Sequence, residues 1–265
     1  FADEQPLYTI TPANVDQYKD LLSAGQVAMF KKYPNYKMHV YPSHRTAAYP
    51  QHVYDVIAEN AVNAELVSGG NGLANFQKHI PFPIPQSGLE VIWNHVTRYR
   101  GGAVQRLVNQ FPVLENGSFV PVLLRESLVF PEYLKTGREA ADDNVLFYFL
   151  QEVLAPARMT GTVLLVHDTI DQVKESRRAW LYNAGQRRVR KAPSVAYDGP
   201  GTASDGLRTS DGLDMFNGAP DKYNWELVGK REMLIPYNNF KLLDTNLKYT
   251  DIIGPGHMNQ DYVRY

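Results

Sequence analysis

The side chains in this chain that could do chemistry are spread out rather than grouped. Seven histidines invite a search for a metal site: His39 and His44 flank a proline turn, and His52, His79, His95, His167 and His257 are scattered. A helical metal pair needs two histidines one turn apart, and no such pair or HExxH motif occurs. Glu90 and His95 are five residues apart, a poor angle for a shared ligand on a helix. The histidines therefore read as surface or capping residues, with no metal and no cofactor implied. There is no cysteine, which removes disulfides, thiolate zinc sites and a cysteine nucleophile. No GxSxG nucleophile elbow or Ser/His/Asp set occurs, so no catalytic residue is assigned and the chain reads as a non-enzyme. A weaker reading keeps His95 or His167, beside a carboxylate, as the base of a hydrolase or lipid-modifying enzyme.

Three further patterns have ordinary explanations. Asp198 to Asp211, running on to Asp214, has the residues of a calcium loop but not the EF-hand spacing, and reads as a turn-rich loop. A loop this long is often functional, as a lid or contact surface. Gly69-Gly70-Asn71-Gly72 has the flavour of a phosphate loop, yet no Lys-Ser/Thr follows it. The carboxylate pairs Glu126/Glu132 and Asp142/Asp143 read as solvated strand ends and turns.

The sharpest local feature is Arg178 to Pro193, RAWLYNAGQRRVRKAP. It predicts a hairpin in which Asn183 and Gly185 supply the permissive turn conformations. One face would join an apolar interior while the arginines stay in water. The cluster Arg177, Arg178, Arg187, Arg188, Arg190 and Lys191 reads as a solvated sheet face. The alternative is docking onto an acidic partner or lipid head groups, with Arg187, Arg188 and Arg190 as the contact. Val145 to Leu150 and Val163 to Val166 are apolar on both faces, so one face must meet helices or a cavity and the other is covered too. Strand periodicity then nominates Phe147, Phe149, Leu164, Val166, Trp180 and Tyr182 as cavity-lining, ligand-binding residues. A core filled by the protein's own side chains explains the same pattern.

The positioning elements follow from the hydrophobic rhythm. Thr11-Pro12 predicts a helix start running to Leu22, and Ser23 with Gln26 a capping box for a helix to about Tyr33. Lys37 to Tyr41 reads as a short strand, Gln51 to Leu66 as a helix, and Ser87 with Glu90 as the cap of a helix carrying Trp93. Pro81 to Pro85 cannot be regular. From Gly101 onward strands dominate: 104–113 with 119–130, 145–154 with 162–170, the Trp180 hairpin, then Trp225 to Pro236 and Asn246 to Ile253. The fold class is α+β: residues 1–100 helix-rich and packed on a curved antiparallel sheet over 101–265, the two expected to form one structural domain. Evenly spaced hairpins favour a barrel or half-barrel.

The chain has 265 residues, 44% hydrophobic and 21% charged, with formal net charge −1. That gives no global electrostatic case for nucleic acid or an anionic membrane. No apolar run approaches the ~20 residues of a membrane-spanning helix. The opening FADEQPLYTITP lacks the regions of a signal peptide, and the closing QDYVRY reads as a strand beginning, so truncation at the C-terminus is expected.

PIPQSGLEVIWNHVTRYRGG (83–102), RAWLYNAGQRRVRKAP and SDGLDMFNGAPDKYNWELVGKREMLIPYN (210–238) resemble an uncharacterised proteobacterial family. It is described as a domain of unknown function or as outer membrane lipoprotein-sorting proteins, and is similar to the lipoprotein carriers LolA and LolB. The resemblance implies a strongly curved antiparallel half-barrel closed by helices over an apolar cavity for acyl chains. It also implies periplasmic location, an export signal upstream of Phe1 and further strands beyond Tyr265. Partners would be a lipid or acyl-chain ligand and an RND-type transporter or outer-membrane protein. The expected role is a carrier of lipid or another hydrophobic molecule in envelope lipid or lipoprotein transport, with a non-catalytic adaptor as the alternative. The family brings no agreed ligand residues.

Overall fold

A computed structural model describes residues 3–45, 47–134, 144–192, 195, 197–254 and 256–265. The chain divides into two units, Phe1–Ala47 with Gly229–Tyr265, and Ala48–Val228.

In the first unit β1 (Tyr8–Ile10) pairs antiparallel with β2 (Met38–Val40). The helix expected from Thr11 does not form as such. Asn14 Oδ1 accepts from the Thr11 N–H at 2.7 Å and the Asn14 amide donates to the Thr9 carbonyl at 3.2 Å. This local side-chain turn competes with a helix start, and only a 3-10 run over Val15–Leu21 follows. The Ser23–Gln26 capping box is present and opens α1 (Ala24–Lys32). Ile10, Phe30, Tyr36, Met38, Val263 and Tyr265 form this unit's core.

Two late strands of the sequence reading are absent. Over Trp225 to Pro236 no ladder forms; the Leu234 N–H donates to the Leu21 carbonyl and the Leu234 carbonyl accepts from Gln26 Nε2, both at 2.9 Å. With those groups satisfied, a strand partner has nothing to add. Asn246 to Ile253 instead ends in a short helix over Tyr249–Ile253, begun where Asp251 accepts from the Lys248 N–H at 2.9 Å. The closing residues hold a 3-10 turn over Gln260–Tyr262 and an isolated Asn238–Arg264 bridge.

The second unit opens with α2 (Gln51–Asn63) and the small pair β3 (Glu65–Val67) and β4 (Gly72–Ala74). The loop between those strands is a packing device. Trp93 Nε1 donates to the Gly70 carbonyl at 2.8 Å, and a Cβ on Gly70, at φ 91°, would lie 2.6 Å from Leu89 Cδ1. The glycines let this loop touch the next helix, α3 (Gly88–Thr97), whose cap is Ser87 accepting from the Glu90 N–H. α3 buries Trp93 and Val96 against Phe130, Leu146 and Phe147.

β5 (Ala103–Gln110), β6 (Val122–Val129), β7 (Val145–Ala155), β8 (Val163–Thr169), β9 (Arg178–Asn183) and β10 (Arg188–Lys191) form one antiparallel meander in sequence order. Its first and last strands do not pair, so the sheet is open and not a closed barrel. The fold is α+β. At the β9–β10 turn Asn183 Oδ1 accepts from the Gln186 N–H at 3.0 Å, and the left-handed residue is Arg187 rather than Gly185. β10 is exposed along its whole length; a charged edge strand of this kind resists edge-to-edge pairing. No described helix is long and apolar enough to cross a membrane.

Gly88 is the tightest joint around α3. A Cβ there would lie 2.7 Å from the Trp225 and Glu226 backbone, where no side chain can swing away. Gly88→Ala is expected to lower unfolding free energy by about 1–3 kcal/mol, read from urea denaturation followed by tryptophan fluorescence.

Candidate functional site

Residues directly opposite one another in the meander share a face. One face carries the row Val104, Leu128, Phe149, Val166 and Ala179, and beside it the row Arg106, Glu126, Gln151, Leu164 and Leu181. This face floors a cavity of about 250 Å³. That exceeds the ~150 Å³ of an engineered cavity that takes up benzene and falls just short of the ~300 Å³ where drug-sized pockets begin. Its walls are Arg98 and Arg100, which follow α3, and the long loop that supplies Gly201, Arg208, Leu213 and Asp214.

One ion pair holds that loop over the sheet. Arg177 Nε and Nη2 both donate to the Asp168 carboxylate at 2.9 Å, with the two side chains 4% and 1% exposed. The remaining Arg177 donors reach the Val195 carbonyl, the Asn217 carbonyl and Asn217 Oδ1 at 3.0, 2.9 and 2.7 Å. Gln110 adds a second tie, donating to the carbonyls of Thr202 and Ala203. Arg177 therefore leaves the basic cluster in which the sequence placed it: it is a buried strut, because Asp168 lies across from it in the fold.

Charge crosses the floor of the cavity. Glu126 does not lie at a solvated strand end; it is buried in mid-strand, pairs with Arg106 at 2.7 Å and accepts from Gln151 Nε2 at 2.7 Å. Only the β-strand register brings Arg106 and Gln151 to its two sides. Gln151 Oε1, also buried, has no partner among the described residues. At the wall one carboxylate serves two guanidiniums: Asp214 Oδ2 lies 2.6 Å from Arg98 Nη2 and 3.0 Å from Arg100 Nη1. Arg100 also stands 5.9 Å from the Phe147 ring centroid. Burial lowers the pKa of both Arg100 and Arg208 from the ordinary guanidinium value.

Of the residues nominated from strand periodicity, Phe147, Phe149, Leu164 and Val166 line this cavity. Trp180 and Tyr182 do not: they pair with Leu165 and Val163 and so face the other side of the sheet, Trp180 packing on His167 at 4.9 Å between centroids. The inward residues of β9 are Ala179 and Leu181, one position off. Arg187, Arg188 and Arg190 are exposed at the edge, away from the cavity lining. The arginines at 98, 100 and 208 were not singled out from sequence, and Asp214 only as part of a calcium-like loop, since they come from two loops that only tertiary structure brings together. An excess of arginine after the α3 pattern was the one available signal.

The remaining chemistry-bearing residues do not converge. His95 Nε2 bonds the Asp214 main-chain oxygen at 2.8 Å, and His167 lies edge-on to Tyr148 on the opposite face. Asp198 pairs with Lys222, which holds its carboxyl below the usual range, and Asp211 accepts from Thr209 and Tyr223. Asp198 and Asp211 are thus each engaged by separate protein donors rather than turned toward a common centre. Among the described residues no group of three His, Asp or Glu could hold a metal ion. Asp142, Asp143 and the side chain of Glu132 lie outside the described residues.

An α+β protein with a ligand-sized, partly apolar cavity between an open antiparallel sheet and a strapped loop is the class this geometry defines. The chain belongs to the family described as Protein of unknown function (DUF1329), whose model matches residues 9–265. It is 59% identical over 266 residues to the uncharacterized protein PA3922 of Pseudomonas aeruginosa, covering 100% of this chain and 58% of that protein's length. The chain thus spans little more than half of the curated relative it matches. A solved structure described as an "outer membrane lipoprotein-sorting protein domain" from Vibrio parahaemolyticus superposes with a TM-score of 0.32 at 20% identity. That superposition covers 46% of this chain and 48% of the other.

Removing the strut should show its weight. Arg177→Met leaves Asp168 charged and buried without its partner, an arrangement that costs about 3–5 kcal/mol. The expected outcome is a loss of that size in chemical denaturation, together with faster protease cleavage within 198–217.

Proposed function

We propose that this chain is a binding or carrier protein for a lipid or another hydrophobic molecule, acting in the periplasm as an accessory of envelope lipid or lipoprotein transport. The observation that carries the reading is the cavity, whose floor presents Phe147, Phe149, Leu128, Leu164 and Val166 to a guest. Each methylene moved from water onto such a floor contributes roughly 0.8 kcal/mol before association costs. The resemblance to the LolA and LolB carriers supports the same reading. Among the described residues that line the pocket no acid, base and nucleophile converge, and the reading needs binding alone. An RND-type transporter or an outer-membrane protein would be the donor or acceptor of the cargo.

Leu164→Trp puts an indole into the cavity. The variant is expected to fold with a stability close to the parent and to bind N-phenyl-1-naphthylamine, an uncharged probe, at least about tenfold more weakly. Unchanged probe binding, or native mass spectrometry in which gently purified protein never carries or takes up lipid, counts against the carrier.

A second reading, a non-catalytic adaptor of an envelope transporter, is favoured by the exposed basic edge at Arg187, Arg188 and Arg190. Changing all three to Glu should abolish capture of the transporter partner while probe uptake stays at the parent level, measured by co-purification and fluorescence titration.

A further inference from the structure

The lining of the cavity is not electrically balanced. Arg98, Arg100, Arg106, Arg177 and Arg208 face Glu126, Asp168 and Asp214, five guanidiniums against three carboxylates. Arg106 and Arg177 each have their own carboxylate. Arg98 and Arg100 share Asp214, and the Arg208 guanidinium donates to the Thr209 main-chain oxygen at 3.1 Å, with no carboxylate in ion-pair contact among the described residues. Two positive charges are left over, on side chains that are half-buried. Arginine does not lose its proton under physiological conditions, so the surplus stays as a standing field. Burial lowers the pKa of both Arg100 and Arg208, outweighing the opposing pull of Asp214 and Asp168 on the first and of Glu126 on the second. Arg100 Nε in addition has no hydrogen-bond partner among the described residues.

The surplus sits beside the apolar floor and is pinned in place. The Arg100 guanidinium stands over Phe147, and Gly201 is close enough to the Arg208 guanidinium that a Cβ would lie 2.9 Å from it. The Asp214 carboxylate already occupies the place of an acid between Arg98 and Arg100. It does so from a backbone at φ 58°, followed by Met215 at φ 72°, conformations that L-residues hold only where surrounding contacts enforce them. An incoming acid that took over Arg100 would leave Asp214 on Arg98 alone.

We propose that the ligand is a single-chain anionic amphiphile, its carboxylate or phosphate held by Arg100 and Arg208 and its alkyl chain lying on Phe147, Phe149 and Val166. This deepens the carrier reading and rests on it. Planar guanidinium forks match carboxylate and phosphate oxygens two at a time, which is why arginine is the residue for such a head group. A cavity of about 250 Å³ suits one chain rather than a multiply acylated anchor. Asp214 acts as the resident anion, exchanged for the head group on binding.

The test is displacement of N-phenyl-1-naphthylamine by decanoate, decyl phosphate and decanol, which share one chain and differ in charge. Both anions are expected to compete at least about tenfold better than decanol, since hydrogen bonds to charged groups contribute on the order of 1.5–3 kcal/mol. The order of the two anions names the head group. Arg208→Gln should bring the acid-to-alcohol ratio below about threefold, and Arg208→Lys, which keeps the charge, should preserve most of it. Circular dichroism confirms that each variant is folded before its ratio is read. Decanol competing as well as the acids overturns the anionic head group while leaving the carrier intact. An acid advantage that survives Arg208→Gln and Arg100→Gln together overturns the assignment to these two arginines. Failure of the probe and of all three competitors to bind removes the carrier reading itself.

Discussion

The second unit depends on one buried contact, the paired donors of Arg177 on the carboxylate of Asp168. Both groups are almost fully removed from water, so neither can be left alone without a large desolvation cost. The other Arg177 donors go to main-chain oxygens of Val195 and Asn217. A single guanidinium thus fixes both ends of a long loop that has no regular structure of its own to hold it. Without that strut the loop would be left with the Asp214 ion pairs to Arg98 and Arg100 and the Gln110 hydrogen bonds to hold it over the cavity.

Everything the cavity can do follows from what the loop brings to it. The sheet alone offers an apolar row and the Arg106–Glu126–Gln151 ladder, whose Glu126 and Gln151 are buried and whose Arg106 is exposed. The loop adds Asp214 and Arg208, and the residues after α3 add Arg98 and Arg100. The result is a space with an apolar floor and a positively charged rim.

The sequence carried the strands well because alternation, Gly and Asn turns and capping boxes are local signals. Ser23 with Gln26 and Ser87 with Glu90 act where their spacing placed them, and the hairpins from Ala103 to Lys191 appear with boundaries shifted by a few residues. The failures are equally physical. Trp225 to Pro236 has the composition of a strand, yet its polar groups at Leu234 are satisfied by α1 and the chain before it. Thr11-Pro12 has the form of a helix start, but Asn14 turns back to the backbone first. Trp180 and Tyr182 alternate correctly along β9 and still face outward, because register with β8 decides which parity points in.

What the residues alone determined was the α+β class, the run of antiparallel hairpins, the absence of thiol chemistry, and four of the apolar side chains that floor the cavity. These are properties of short windows, in which period and turn chemistry act over a few residues. Only the tertiary structure decided that Arg177 is a strut and not part of a basic surface, that Glu126 is buried, and that Arg98, Arg100, Arg208 and Asp214 meet. Arg98 and Asp214 lie 116 positions apart. Their charges acquire meaning only when folding removes the water between them and sets the distances over which they act.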